Sequence, residues 1–172
     1  MTIGHLSMPM QISEGLDLDP SDCGVPTLND WLRKRAVNNE SSWASRTYVL
    51  CEGNKVIGYY CLATGAIDRE EAPNPLRRNM PDPIPVLVLG RLAIDRRYQN
   101  QGVGRALLRD AVLRALQVAE LAGAAALLVH ALSEQARIFY QSWGFIESPF
   151  QPMTLCLMLK TAHQTGSQPL RD

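Results

Sequence analysis

The stretch Gln99-Asn100-Gln101-Gly102-Val103-Gly104, followed by Arg105, has the residue types needed to hold an anion. Two glycines one residue apart let successive backbone N–H groups converge. The helix-compatible run that follows would aim the positive end of its dipole at the same point. Two familiar phosphate loops do not fit. A dinucleotide fingerprint needs a third glycine where Leu107 stands, and a P-loop needs Lys and then Ser or Thr where Arg105-Ala106 stands. What remains is strand, Q-x-x-G-x-G, helix.

The elements that must position this loop are readable on both sides. Val86–Ile94 is a nearly continuous apolar run, as expected for a strand covered on both faces, with Gly90-Arg91 marking a bulge or local splay. From Gly104 to Ala122 the polar stripe is narrow, which predicts a helix largely buried against a sheet. Ala124–Leu132 reads as a second buried strand, ending near His130, which reads as a satisfied strand-end histidine. Ser133 is placed to cap a short helix that Gly144 would end in a left-handed conformation. Met153–Lys160 makes a last strand.

Upstream, Thr27 or Asn29 is a plausible cap for a helix over residues 27–39, and Gly53-Asn54 joins two β-rich runs as a hairpin. Residues 70–85 carry five prolines and read as a connector. The order predicts an α/β domain with a central mixed sheet and a splayed middle strand flanked by helices on both faces. One domain over residues 1–160 is expected, with residues 161–172 a flexible tail.

Composition narrows the partners. The 172 residues are 46% hydrophobic and 20% charged, with zero formal net charge. Residues 31–114, however, hold 14 Lys/Arg against 8 Asp/Glu, an excess of six positive charges that the remainder cancels. A basic middle can face an anionic partner. No apolar run reaches the ~18 residues of a membrane span, and the N-terminus has no signal-peptide pattern, so a cytoplasmic protein is expected. Four scattered cysteines without CxxC spacing read as reduced thiols rather than a metal site.

The loop resembles the acetyl-CoA pyrophosphate loop of the GNAT acetyltransferases, [QR]-x-x-G-x-[GA]. A second motif strengthens the resemblance: Phe139, Tyr140, Gly144 and Phe145 match the family's F-Y-x-x-x-G-F. It implies that acetyl-CoA is the cosubstrate, without a metal, bound by Gln99–Gly104 and Arg105. It also implies that the strand bearing Leu92, Ala93 and Ile94 pairs with the pantetheine arm and offers N–H groups to the thioester carbonyl. Ser133 could touch CoA or be a plain N-cap. Tyr140 would lie beside the sulfur. A phenol of pKa ~10 stays protonated at pH 7 and can share the charge of a departing thiolate, whose thiol has a pKa of ~8.5.

The acceptor is read from an absence and a finer resemblance. No acid precedes Asp95 on the strand before the loop, which suits an amine needing little activation, although Glu52, Glu70 or Glu71 could fold back to help. An α-amine of pKa ~7.7–8.0 meets that need better than a lysine of pKa ~10.4. Residues 20–160 are similar to the GNAT toxins of toxin–antitoxin pairs, which acetylate the α-amine on charged tRNA and block translation. That resemblance implies a ribbon-helix-helix DNA-binding antitoxin and a homodimer. Lys34, Arg35, Arg77, Arg78 and Arg91 would meet tRNA phosphates, with an ion pair at the strand bulge the alternative for Arg91. A GNAT enzyme acting on a small amine or a protein N-terminus is the rival within catalysis. A non-catalytic acyl-CoA-binding module is the rival outside it.

Overall fold

A strand must deliver the chain to the glycine loop and a helix must carry it away. Both are present in the computed structural model, which describes residues 6–164. In chain order the elements are β1 (Met10–Gln11), α1 (Pro26–Lys34), α2 (Ala36–Ser42), β2 (Arg46–Glu52), β3 (Lys55–Ile67), α3 (Asn74–Arg77) and β4 (Ile84–Ile94). There follow α4 (Val103–Ala122), β5 (Ala126–His130), α5 (Glu134–Ser142), β6 (Ile146–Glu147), β7 (Thr154–Met158) and α6 (Leu159–Gln164). The sheet runs β1-β2-β3-β4-β5-β7-β6. It is mixed, as expected: Val86–Leu89 pair in parallel with Ala126–Val129, whereas β2 with β3 and β5 with β7 are antiparallel. The parallel register ends at Leu89, immediately before Gly90.

The chain forms two compact units. The first comprises the described residues up to Ala63 together with Gly90–Ala111. Its hairpin turns at Gly53, and Tyr48 pairs with Tyr60 across it. Leu28 and Leu32 of α1 and Ala36 of α2 pack with Val49, Val56, Tyr59 and Ala93. Trp31 stacks on Tyr59 at 5.8 Å, and the Tyr59 hydroxyl donates to the Leu28 carbonyl oxygen at 2.7 Å. At Gly58 an added Cβ would sit 3.1 Å from Leu107 Cδ1 and 3.2 Å from Ile94 Cδ1. Glycine there is what lets α4 seat against β3.

Helix α1 departs from expectation at both ends. Neither Thr27 nor Asn29 caps it: Val25 is the N-cap residue, with no side-chain cap bond, and Pro26 lies in the first turn. Proline has no N–H to satisfy and a helical φ already set, so the start needs no capping side chain. Asn29 instead accepts the Cys23 N–H at 3.0 Å and donates to Asp22 at 2.9 Å. The single helix expected over residues 27–39 is two, broken at Arg35.

The second unit comprises Thr64–Leu89 and the described residues from Val112 onward. Its core gathers Ile67, Ala72, Leu76, Ile84, Val86, Ala126, Leu128 and Cys156. The proline-rich connector is not wholly irregular. It holds the short helix α3, whose first turn contains a proline and whose Leu76 is buried. Helix α6 occupies the start of the stretch expected as a flexible tail, and the rest of that stretch lies outside the described residues.

The Tyr59–Leu28 bond yields a test of the first core. Tyr59→Phe should lower the stability of the protein by about 1 kcal/mol, read as a lower urea midpoint at unchanged slope.

Candidate functional site

The loop depends on a buried carboxylate just before it. Asp95 is 2% exposed. It accepts the Arg97 N–H at 2.9 Å, Arg97 Nε–H at 3.0 Å and the Asp22 N–H at 3.1 Å. Its own N–H donates to the Ile57 carbonyl at 2.7 Å. Burial by itself would raise this carboxyl. The Arg97 guanidinium and the N–H groups of Arg97 and Asp22 together outweigh burial and hold it below its ordinary value. Asp95 thereby caps the 3-10 turn Arg96–Tyr98, which swings the chain from β4 to the loop.

The glutamines staple the loop from its sides. Gln99 Nε2 donates to the carbonyls of Ile94 at 2.9 Å and Cys23 at 3.0 Å, and Gln101 Nε2 donates to that of Arg97 at 3.1 Å. Asn100 and Gly102 are left-handed, with φ of 61° and 82°. A Cβ at Gly102 would meet no atom within 4 Å, so the loop is open on that side. Val103 then starts a 20-residue helix with no acid in its first turn. The first N–H groups of such a helix have no intrahelical acceptor, and its dipole favours negative charge there. Arg105 is exposed on that first turn, while Val103 is buried and Gly104 half-buried. In β4, Ala93 is buried and Leu92 and Ile94 are half-buried. The arrangement suits a phosphate-bearing ligand held by backbone rather than by side chains.

Tyr140 and Ser133 belong to the second unit. Ser133 is the N-cap of α5, its Oγ accepting the Ala136 N–H at 3.1 Å. Tyr140 is 6% exposed, edge-on to Phe139 at 5.3 Å and tilted against Phe145 at 5.4 Å. Burial pushes its phenol above the ordinary value, so it carries its proton across the neutral range. Its hydroxyl has no hydrogen-bond partner among the described residues, nor is it one of the two sealed, unpartnered side-chain oxygens, Ser45 Oγ and Thr47 Oγ1. The ring is fixed by packing between Phe139 and Phe145. His130 Nδ1 lies 3.0 Å from Thr154 Oγ1, as a satisfied strand-end histidine should.

The five basic residues expected to meet an anionic partner fall in different settings. In the first unit, Lys34 and Arg35 are exposed at the α1–α2 junction, Lys34 with Asp30 at 3.9 Å. Arg91 is half-buried, its guanidinium 4.4 Å from the centre of the Trp31 ring. In the second unit, Arg77 donates through Nε to the Ala72 carbonyl at 2.9 Å, and Arg78 is exposed. Arg77 also lines an open cavity of about 580 Å³ with Asp68, Arg69, Glu70 and Asp82.

Asp95, an acid at the loop's start in the sequence, is a structural group in the fold. A capping signal was available, because Asp ahead of a short turn is a standard N-cap. Glu52 does not fold back as a helper for the amine. It accepts instead from the Tyr98 hydroxyl, a pairing between residues 46 apart that no local pattern signals. No group of three or more His, Cys, Asp or Glu side chains able to hold a metal occurs among the described residues.

Comparison with known proteins gives this geometry a context. Residues 43–147 match the acetyltransferase (GNAT) domain. Over 156 residues, 91% of this chain and 94% of the other, the sequence is 46% identical to a tRNA-acetylating toxin of Mycobacterium tuberculosis. AtaT complexed with acetyl-methionyl-tRNAfMet has a TM-score of 0.86 and 31% identity, covering 94% of this chain and 99% of that one. A tyrosine-to-phenylalanine mutant of the AtaT toxin, bound to the C-terminus of the antitoxin AtaR and acetyl-CoA, has a TM-score of 0.81 at 30% identity, covering 95% and 99%.

The role of Asp95 can be checked through pH. A carboxyl held low in the folded state stabilises above about pH 4, its unfolded range, and that contribution disappears as pH falls through the folded value. Asp95→Asn should therefore cost about 2 kcal/mol at pH 7, and the gap from the parent should close toward pH 3 in urea melts.

Proposed function

This chain belongs to the GNAT acetyltransferase family, and from that premise we propose that it is a toxin acting on charged tRNA. It transfers the acetyl group of acetyl-CoA to the α-amine of the aminoacyl group, and so blocks translation. The observation that carries the reading is the glycine loop. Gly102 is left-handed and open at the start of a 20-residue helix, with the flanking glutamines bonded elsewhere. Such a loop offers its backbone to the pyrophosphate of CoA. The relatives supply the acceptor: a 46% identical toxin acetylates tRNA, and AtaT is seen with acetyl-methionyl-tRNA.

In the reaction, the neutral α-amine attacks the thioester carbon. A C–N bond forms, the C–S bond breaks, and the electron pair leaves on sulfur. Tyr140 donates its proton to that sulfur, and the phenolate regains one from the protonated nitrogen of the tetrahedral adduct as it collapses to the amide, directly or through water. Its burial keeps the proton in place until it is needed. The backbone of Leu92–Ile94 is assigned to the thioester carbonyl and the pantetheine arm.

Two of the carboxylates near the loop, Asp95 and Glu52, are already taken up by structural hydrogen bonds. Asp95 is fully engaged with Arg97 and Asp22, and Glu52 accepts from Tyr98. An α-amine that is already partly neutral at pH 7 needs no carboxylate base. Lys34, Arg35 and Arg78 are the exposed cations assigned to tRNA phosphates, with Arg77 and Arg91 as already oriented neighbours. The remaining parts of the proposal are a cytoplasmic homodimer neutralised by a ribbon-helix-helix antitoxin. AtaT held by the C-terminus of AtaR supports the antitoxin. No described helix is long and apolar enough to cross a membrane.

Incubation with labelled acetyl-CoA and total charged tRNA should place label on aminoacyl-tRNA. Label confined to polyamines or protein would remove the toxin reading. Tyr140→Phe should lower kcat by at least about 100-fold while acetyl-CoA still binds, and it should relieve growth arrest.

A further inference from the structure

Trp43 is the most exposed of the three tryptophans. It is 80% exposed, whereas Trp143 is 7% exposed and Trp31 is stacked on Tyr59. It is also left-handed, with φ of 64°, at the position just past α2. There its N–H and that of Ala44 close the helix onto the carbonyls of Asn39 and Glu40, the geometry in which glycine is the usual residue. A bulky side chain at positive φ is strained, and such strain persists where the surroundings hold it and the side chain is used. Nothing in the fold uses this ring as a core residue.

What holds it is a small polar assembly. Arg46 lies over one face of the ring, 5.1 Å from its centre. Its Nη1 is 3.4 Å from Glu40 Oε1, and the same carboxylate accepts the Thr47 N–H at 3.0 Å and the Gln11 amide. Glu40 is thus anchored to β2 and fixes Arg46 over a ring that stays 80% exposed. A rigid aromatic ring backed by guanidinium is the arrangement on which unpaired nucleobases stack. At the other end of α2, a seven-residue helix about 10 Å long, the exposed Lys34-Arg35 pair supplies charge for a strand's phosphates.

We propose that Trp43, backed by Arg46, is a stacking platform for an unpaired base at the aminoacyl end of the RNA substrate. The proposal rests on the reading that this chain acts on charged tRNA, and it names the part of that substrate the first unit holds. A protein surface is the less favoured occupant, because the ring is backed by the Arg46–Glu40 charged pair.

Two variants separate the ring from the backbone. Trp43→Gly removes the ring and relieves the left-handed strain, so it should fold with a urea midpoint at or above the parent's. Its KM for charged tRNA should rise about tenfold with the KM for acetyl-CoA unchanged, and Trp43→Phe should recover most of the loss. Uncharged tRNA and a short single-stranded RNA should quench the accessible tryptophan fluorescence of the parent and not that of Trp43→Gly. An unchanged KM for tRNA together with no quenching overturns the proposal. So does a change in oligomeric state or antitoxin binding in Trp43→Gly with the tRNA KM intact, which assigns the ring to a protein contact. If the parent transfers no acetyl group to any charged tRNA yet single-stranded RNA quenches Trp43, the acceptor reading fails and the platform stands.

Discussion

The buried carboxylate of Asp95 is the constraint on which the anion loop depends. The chain must reverse between the end of β4 and the start of α4 within a few residues, and it does so around one charged group. Arg97 and the Asp22 amide satisfy that group, and its own amide is tied to Ile57 in the neighbouring strand. A buried charge is tolerated only when it is paired and hydrogen-bonded. Here the same bonds that make it tolerable draw the N-terminal segment, β3 and the loop entry to one point. Gln99 extends the fastening by bridging Ile94 and Cys23. The loop is thereby fixed through side chains and through the Gln99 N–H, which donates to the Arg96 carbonyl at 3.4 Å.

The chemistry follows from where burial falls. Tyr140 is enclosed by Phe139 and Phe145, and enclosure without a charged neighbour raises a phenol's pKa. A phenol that does not ionise in the neutral range suits the proton-donor role proposed for Tyr140. The carboxylates beside the loop are used in the opposite sense, consumed by structural bonds. Together these features favour an acceptor that arrives nearly ready to react, as an α-amine does and a lysine does not.

The cations show how far charge counting reaches. A basic middle was visible in the composition, but the residues it comprises divide in space by what they touch. Arg91 lies on Trp31 and Arg77 is bonded to the Ala72 carbonyl, whereas Lys34, Arg35 and Arg78 face solvent. Composition counts charge, and only packing decides whether a guanidinium is a fixed structural part or a free surface charge.

Much of the framework was legible in the sequence because its signals are local. The strand–loop–helix around Gly102, the Gly53 hairpin, the Ser133 cap and the left-handed Gly144 each depend on a few consecutive residues and their backbone preferences. The motifs around Gln99 and Tyr140 identified an acyl-CoA chemistry for the same reason. Helix α1 differs at its ends from what capping propensity predicts because a proline lies in its first turn and the chain breaks at Arg35. Other features were beyond any local pattern. The Tyr98–Glu52 pair, the Asp22–Asp95 tie, the approach of Leu107 to Gly58 and the Glu40–Arg46–Trp43 assembly join residues brought together only by the packed sheet and helices. Residue type and short-range sterics, both legible along the chain, set which backbone turns and which reactive groups the protein has. The tertiary structure decided which carboxylates are consumed, which phenol keeps its proton and which aromatic ring is left bare, since burial and pairing arise only when distant segments meet.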